Sequence, residues 1–386
     1  MLRATLIFSL LAMVCSLTSC GKRYRLRLDD MTTESSWPFA RRDVSASGAW
    51  VTAGFSGKLD VLWEARTGGK PAGPLTIMNG ALVFPETKKR LRFYRAENGE
   101  NLGKMKTRGI PQSGAAIRDS IVCFSVGPKR NRLYGYNLVS RKSLWERDLK
   151  DAAPGPIIVD KHLLVTSLEG RLFAFGFDDG ASLWDFDPDR RLSASASYAG
   201  GRLFQPADHG RLYVLAIDDG RQLCEIDLKG PLTSMVVATE DRAYAADILG
   251  SVYALSPDDC SVVWEMTLEA PVWCSPALMD DRLYVATTGG QVTALDAESG
   301  QRLWIYEAIE VIKVSPLVIG DYVIVGTMAG NVLVLRADNG SLVDSARVEG
   351  PIAVGPVTDG NRVFVATQKG RIVCFGEENG KATGTD

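Results

Sequence analysis

One motif recurs along this chain at a spacing of about 40 residues, and that spacing restricts the fold more than any other feature. Its clearest copy is DRLYVATTGGQVTALDAESGQRLW, from Asp281 to Trp304. Leu283, Val285 and Thr287 alternate with Tyr284, Ala286 and Thr288, which is the period of a strand. Gly289-Gly290 is turn chemistry, because glycine reaches positive φ without steric cost. Val292 to Leu295 alternates again, Ala297-Glu298-Ser299-Gly300 makes a second turn, and Leu303-Trp304 begins a further strand. The Trp304 position is held along the chain by Trp63, Gly103, Trp145, Trp184, Cys224, Trp264, Trp304 and Asp344, at intervals of 40, 42, 39, 40, 40, 40 and 40 residues. Helical periodicity is absent after the first twenty residues. Several short strands per 40-residue period predict an all-β propeller with one four-stranded antiparallel blade per repeat.

The position four residues before the tryptophan also repeats, as Gly99, Arg141, Gly180, Gly220, Cys260, Gly300, Gly340 and Gly380. The indole of one blade is expected to lie on the turn of the next, where a side chain would obstruct the ring. The expected docking pairs are Trp63–Gly99, Trp145–Gly180, Trp184–Gly220, Trp264–Gly300 and Trp304–Gly340. Where Gly103 replaces the tryptophan, Arg141 replaces its glycine. Where Cys224 replaces it, Cys260 replaces the glycine. Asp344–Gly380 breaks on one side only. The pairing of Cys224 with Cys260 predicts a disulfide between adjacent blades in an oxidising compartment. It requires Cα atoms within about 7 Å; the alternative is two free thiols acting as small apolar fillers.

Basic and acidic residues nearly balance, at 44 against 46, which argues against a nucleic-acid surface. The remaining cysteines of the mature chain, Cys123, Cys274 and Cys374, form no CxxC pair or zinc spacing. Two histidines, His162 and His209, exclude a histidine-rich metal centre. No GxSxG, HExxH or P-loop is present. Asp178-Asp179 and Asp218-Asp219 precede turn glycines and read as turn formers, as do Asp208 and Asp247. No catalytic residue and no metal ligand is assigned, and partner-binding residues are not identifiable from sequence.

Residues 1–19 read as a secretion signal, with Arg3 ahead of a short apolar run from Leu6 to Val14. Leu17-Thr18-Ser19-Cys20 resembles a bacterial lipobox, which makes Cys20 the expected site of lipidation. Residues 20–36 are expected to be a polar lipidated tether in which Lys22, Arg23, Arg25 and Arg27 are solvated, the alternative being contact with anionic headgroups. Residues 37–58 form a lead-in segment, with Trp37 and Phe39 expected against the rim. Residues 59–380 form the propeller and 381–386 a tail. Trp63 lacks the three strands that should precede it, while Pro351 to Phe375 supplies three strands without a fourth. Joining them closes an eight-bladed ring and buries two sheet edges; seven blades with an unpaired tail is the alternative. Within each repeat an innermost strand, such as Pro271 to Leu278, is expected to line the channel. Gly127-Pro128-Lys129-Arg130-Asn131-Arg132 makes a longer basic tip on the second blade.

The stretch from Gly290 to Trp304, GxVxALDxxSGxxLW, resembles the pyrroloquinoline-quinone-like β-propeller repeat, and the resemblance covers about residues 37–380. With the lipobox, the chain is similar to the lipoproteins of that family that serve outer-membrane β-barrel assembly. The resemblance implies a non-enzymatic scaffold, lipid-anchored at the periplasmic face of the outer membrane and without a cofactor. Its implied partners are the outer-membrane barrel-assembly protein and unfolded outer-membrane proteins. A propeller that senses a sugar or peptide is the alternative. Quinoprotein dehydrogenases share the repeat, but this sequence has no adjacent cysteine pair and lacks the large insertions of their quinone pocket.

Overall fold

The computed structural model describes residues 41–377, apart from 42, 44, 52–53, 113, 129–130 and 150–154. Eight antiparallel sheets follow one another around a ring. The first blade comprises Thr76–Met78, Ala81–Glu86, Arg90–Arg95 and Asn101–Lys106. The sixth comprises Ala277–Met279, Arg282–Ala286, Gln291–Asp296 and Arg302–Glu307. The eighth takes Ile352–Thr358, Val363–Thr367 and Arg371–Gly376 from the C-terminal end and Asp60–Arg66 from the N-terminal end, with Trp63 opposite Cys374. Closure by a strand from the far end of the chain is therefore present.

Apolar side chains lie between blades rather than in one central core. Tyr244, Val252 and Ala254 of the fifth blade pack on Leu283, Val285 and Leu295 of the sixth, all nearly inaccessible to solvent. Strand alternation provides this: each middle strand presents one set of side chains to the preceding blade and the other to the following one.

The docking pairs share one geometry. A Cβ on Gly99 would lie 2.6 Å from Trp63 Cε3, one on Gly300 2.6 Å from Trp264 Cδ2, and Gly180, Gly220 and Gly340 meet Trp145, Trp184 and Trp304 in the same way. The indole N–H then donates to a carbonyl of the next blade: Trp63 to Ala96 at 2.9 Å, Trp145 to Phe177 at 3.1 Å, and Trp184, Trp264 and Trp304 to Ile217, Ala297 and Ala337 at 3.0 Å. A register shift interrupts the pairing of the two outermost strands in every blade, as between Ala294 and Leu295 opposite Trp304 and Arg302. Such a bulge bends a strand and re-aims its side chains.

Two features differ from the sequence reading, and the lead-in segment takes a path that the sequence does not assign. The innermost strands hold only two or three residues in most blades; residues 271–276 are not strand and the ladder begins at Ala277. The described part of the lead-in segment runs along the inner strands of blades five to seven. The amides of Ala238, Leu278 and Val318 donate to the carbonyls of Ser45, Ser47 and Gly48. Ala49–Trp50 then adds in parallel to Val318–Ile319. Trp37 and Phe39 lie outside the described residues. Finally, Gly380 also lies outside them, and closure puts Leu59, four residues before Trp63, at the turn position facing Asp344. The Leu59 amide donates to Asp344 Oδ2 at 2.8 Å. The apparently one-sided exception is thus a paired one.

Gly300 has φ +72°, so alanine there combines a left-handed backbone with displacement of the indole. Gly300→Ala is expected to cost about 2–4 kcal/mol in denaturant unfolding. In a Trp264→Leu background the penalty should fall, giving a coupling of about 1 kcal/mol or more in the double-mutant cycle. Strict additivity would show that the ring does not rest on the turn.

Candidate functional site

The central channel is the first place to look for chemistry in a propeller, because every blade contributes to it. Residues forty apart form its wall. Ser195 Oγ donates to the Gly155 carbonyl at 2.8 Å, and the Ser275 amide donates to Ser315 Oγ at 3.0 Å, each bond joining neighbouring blades. The channel encloses a cavity of about 420 Å³. Small residues dominate its lining, joined by Arg41, Trp273 and Lys313.

Arg41 enters from the lead-in segment and is buried. Its guanidinium donates to the carbonyls of Pro276 at 2.5 Å and Pro316 at 3.1 Å. Burial lowers its pKa to about 10, partly offset by the nearby Asp43 carboxylate. The segment is pinned further by Asp43, whose Oδ1 accepts from Ser45 Oγ at 2.8 Å and the Ser47 amide at 2.9 Å. Lys313 Nζ sits 5.8 Å from the centre of the half-exposed Trp273 ring, a cation–π distance. The cavity lining contains no carboxylate, imidazole or thiol. Among the described residues no group of three or more His, Cys, Asp or Glu side chains could hold a metal ion.

Asp247 is fully buried and acts within its own turn. Its Oδ1 accepts from the amides of Leu249 and Ser251 at 2.9 Å, and its Oδ2 from the Tyr253 hydroxyl at 2.8 Å. Tyr253 is pushed up to about 12, by burial first. Asp208 begins a short 3-10 turn and lies 3.9 Å from His209 Nε2. Asp179 and Asp219 accept the amides of Ala181 at 2.9 Å and Arg221 at 3.0 Å. All four are turn carboxylates. In the basic tip of the second blade, Lys129 and Arg130 lie outside the described residues, and Arg132 is bound at 2.8 Å to Glu146 and at 3.2 Å to Asp148.

Cys224 and Cys260 stand with Cα atoms 6.3 Å apart and their sulfurs at bonding distance, joining the fourth blade to the fifth. Cys260 keeps φ +58°, and Arg141, another non-glycine at this turn position, keeps φ +57°. The turn retains its left-handed backbone, and a side chain fits because no indole covers it. Cys123, Cys274 and Cys374 are buried free thiols. Cys20 lies outside the described residues, and among those described no helix is long and apolar enough to cross a membrane.

The sequence profile of the family described as outer membrane protein assembly factor BamB matches residues 129–223, 168–247 and 208–383. No curated protein matches the chain significantly. Among solved structures, BamB from Moraxella catarrhalis is similar with a TM-score of 0.72 at 15% identity, over 83% of this chain and 100% of that one. A europium-containing methanol dehydrogenase gives 0.75 at 10% identity, over 89% of this chain and 98% of that one. Quinohemoprotein alcohol dehydrogenase from Comamonas testosteroni gives 0.71 at 12% identity, over 92% and 83%. At these identities the likeness shows the fold, which does not choose between an assembly factor and a dehydrogenase. Among the described residues, those lining this cavity include no carboxylate and do not fit a bound cation.

Two outcomes are expected for the cysteines. Intact mass under non-denaturing alkylation should show no label on Cys123, Cys274 or Cys374 at neutral pH. Burial raises all three thiols, Cys274 to about 12, and leaves little thiolate. Cys224→Ser/Cys260→Ser should lower unfolding stability by about 2–4 kcal/mol if the loop is closed in the native protein. Alkylation of both cysteines without prior reduction would refute the bond.

Proposed function

We propose, on the premise that this chain belongs to the family of outer membrane protein assembly factor BamB, that it is a periplasmic scaffold in outer-membrane β-barrel assembly. Cys20 would anchor it by lipid to the outer membrane, and the propeller would bind the barrel-assembly protein and incoming barrel chains. The observation that carries a binding role is on the outer strands. The residue before the tryptophan position turns outward and is 41–46% exposed in six blades: Leu144, Leu183, Leu223, Val263, Leu303 and Val343. A rigid ring displaying apolar side chains beside free strand edges offers partners both area and main-chain groups. Two acyl signals or more would hold such a ring stably at a bilayer.

Two experiments test this reading. Cys20→Ala should move the protein from the membrane fraction to the soluble periplasmic fraction. Full retention with the signal removed would refute the anchor. Mild-detergent purification of the tagged protein from native envelopes, followed by mass spectrometry, should recover the barrel-assembly protein. Its absence from preparations of intact, membrane-located protein would refute the scaffold role.

A further inference from the structure

The repeat supplies its own controls, and against them the first blade is inverted in charge. The position three residues after the tryptophan faces the first residue of the neighbouring strand. In blades two, three and four that rung is an ion pair: Arg132–Asp148 at 3.2 Å, Arg171–Asp187 at 2.6 Å and Arg211–Asp227 at 2.8 Å. In the first blade Arg90 faces Lys106, and in the eighth Arg371 faces Arg66. One position after the tryptophan stand Glu64, Glu146, Asp185, Glu225 and Glu265, whereas the first blade has Lys104, opposite Arg92. Like charges placed directly opposite oppose sheet formation, and blades two to four show that the fold does not require them.

The excess is local. Residues 66–108 hold ten basic residues against three acidic ones, in a chain of formal net charge −2. Glu86 is fully buried and engages both Arg90 and Arg92. Arg371 is engaged by Glu64 and Glu349, and Lys369 by Glu349 at 3.3 Å. Arg66, Lys70, Lys88, Lys89, Lys104 and Lys106 are exposed and, among the described residues, have no carboxylate within ion-pair distance. Between the first and eighth blades lies a recess of about 590 Å³, lined by Arg66, Lys70, Lys369, Arg371 and the Gly68-Gly69 loop, with Glu349 its one acid.

We infer that this recess and the outer strand of the first blade bind an acidic polypeptide segment of a partner protein. Guanidinium and ammonium groups set in a recess suit carboxylates on flexible side chains. A bilayer surface suits the site less well. Membrane docking uses exposed apolar groups beside the cations, and among the described residues no large exposed apolar side chain lies between Val61 and Val139. The residue before the tryptophan position, exposed in six other blades, is Leu102 here and is 3% exposed. The first blade has exchanged the apolar outer display for a cationic one. This inference does not depend on the assembly role.

The test uses purified full-length protein and a fluorescein-labelled peptide of alternating aspartate and serine, read by anisotropy across a salt series. Binding should weaken with salt. Lys70→Glu/Lys104→Glu/Lys106→Glu should weaken it at least about tenfold, as expected for like-charge juxtaposition. The charge-matched control Lys142→Glu/Lys161→Glu/Arg302→Glu, at exposed positions on other blades, should change it less than about threefold. Thermal melts confirm that both variants fold. Absence of binding, or equal losses in both variants, overturns the inference. So does sedimentation with phosphatidylglycerol vesicles that depends on Lys70, Lys104 and Lys106 and that the peptide fails to displace.

Discussion

The contact on which the ring depends is the indole laid on a left-handed turn of the next blade. It joins two otherwise separate sheets through three effects: apolar area removed from water, a hydrogen bond from the indole nitrogen, and a glycine whose missing Cβ leaves room for the ring. Truncating such an aromatic costs about 3–5 kcal/mol in a well-packed site. With five such contacts around the ring, this interaction sets the angle between blades. The bulge before each tryptophan position is part of the same device, since a regular strand would not aim the ring at the neighbouring turn.

The exceptions show that the two members of each contact are coupled. At Arg141 and Cys260, where the indole is missing, the turn accepts a side chain and keeps its positive φ. In the Cys224–Cys260 pair a covalent bond stands in for the stacked ring. At the closure a carboxylate does so: Asp344 receives the Leu59 amide across the junction of the chain's two ends. A stacked indole needs a complete turn beneath it, and here the strand arrives from elsewhere in the sequence. A hydrogen bond to the backbone suits that discontinuity.

Much of this was legible in the sequence because each repeat is a measurement of the same local physics. Blade number, docking pairs, closure and the Cys224–Cys260 pairing all follow from comparing residues 40 apart. Counting forward from Asp344 to Gly380 misses its partner, because closure transfers the turn position to Leu59. The inner strands were drawn too long, since two or three residues carry no usable alternation. The path of Ser45–Trp50 was not legible at all: short polar and small residues pair with the inner strands through backbone groups, which leave no side-chain pattern. The charge inversion of the first blade was present in the repeat, but only strand pairing shows which residues share a rung.

These constraints divide the molecule into a fixed part and a free part. Blade-to-blade contacts fix the inner and middle strands, and the channel is further occupied by backbone from the lead-in segment and by Arg41 tied to two carbonyls. Variation without loss of the ring is confined to the outer strand and the loops at its ends. There the blades differ most, carrying exposed leucine or valine on six of them and lysine on the first. A closed propeller therefore places its diversity on its circumference, and distinct partners can be met by different blades at once. The cationic blade adjoins the closure, where the eighth blade already carries Arg66 opposite Arg371. The like charges that an acidic partner would offset thus include a rung of the blade that the chain's two ends complete together.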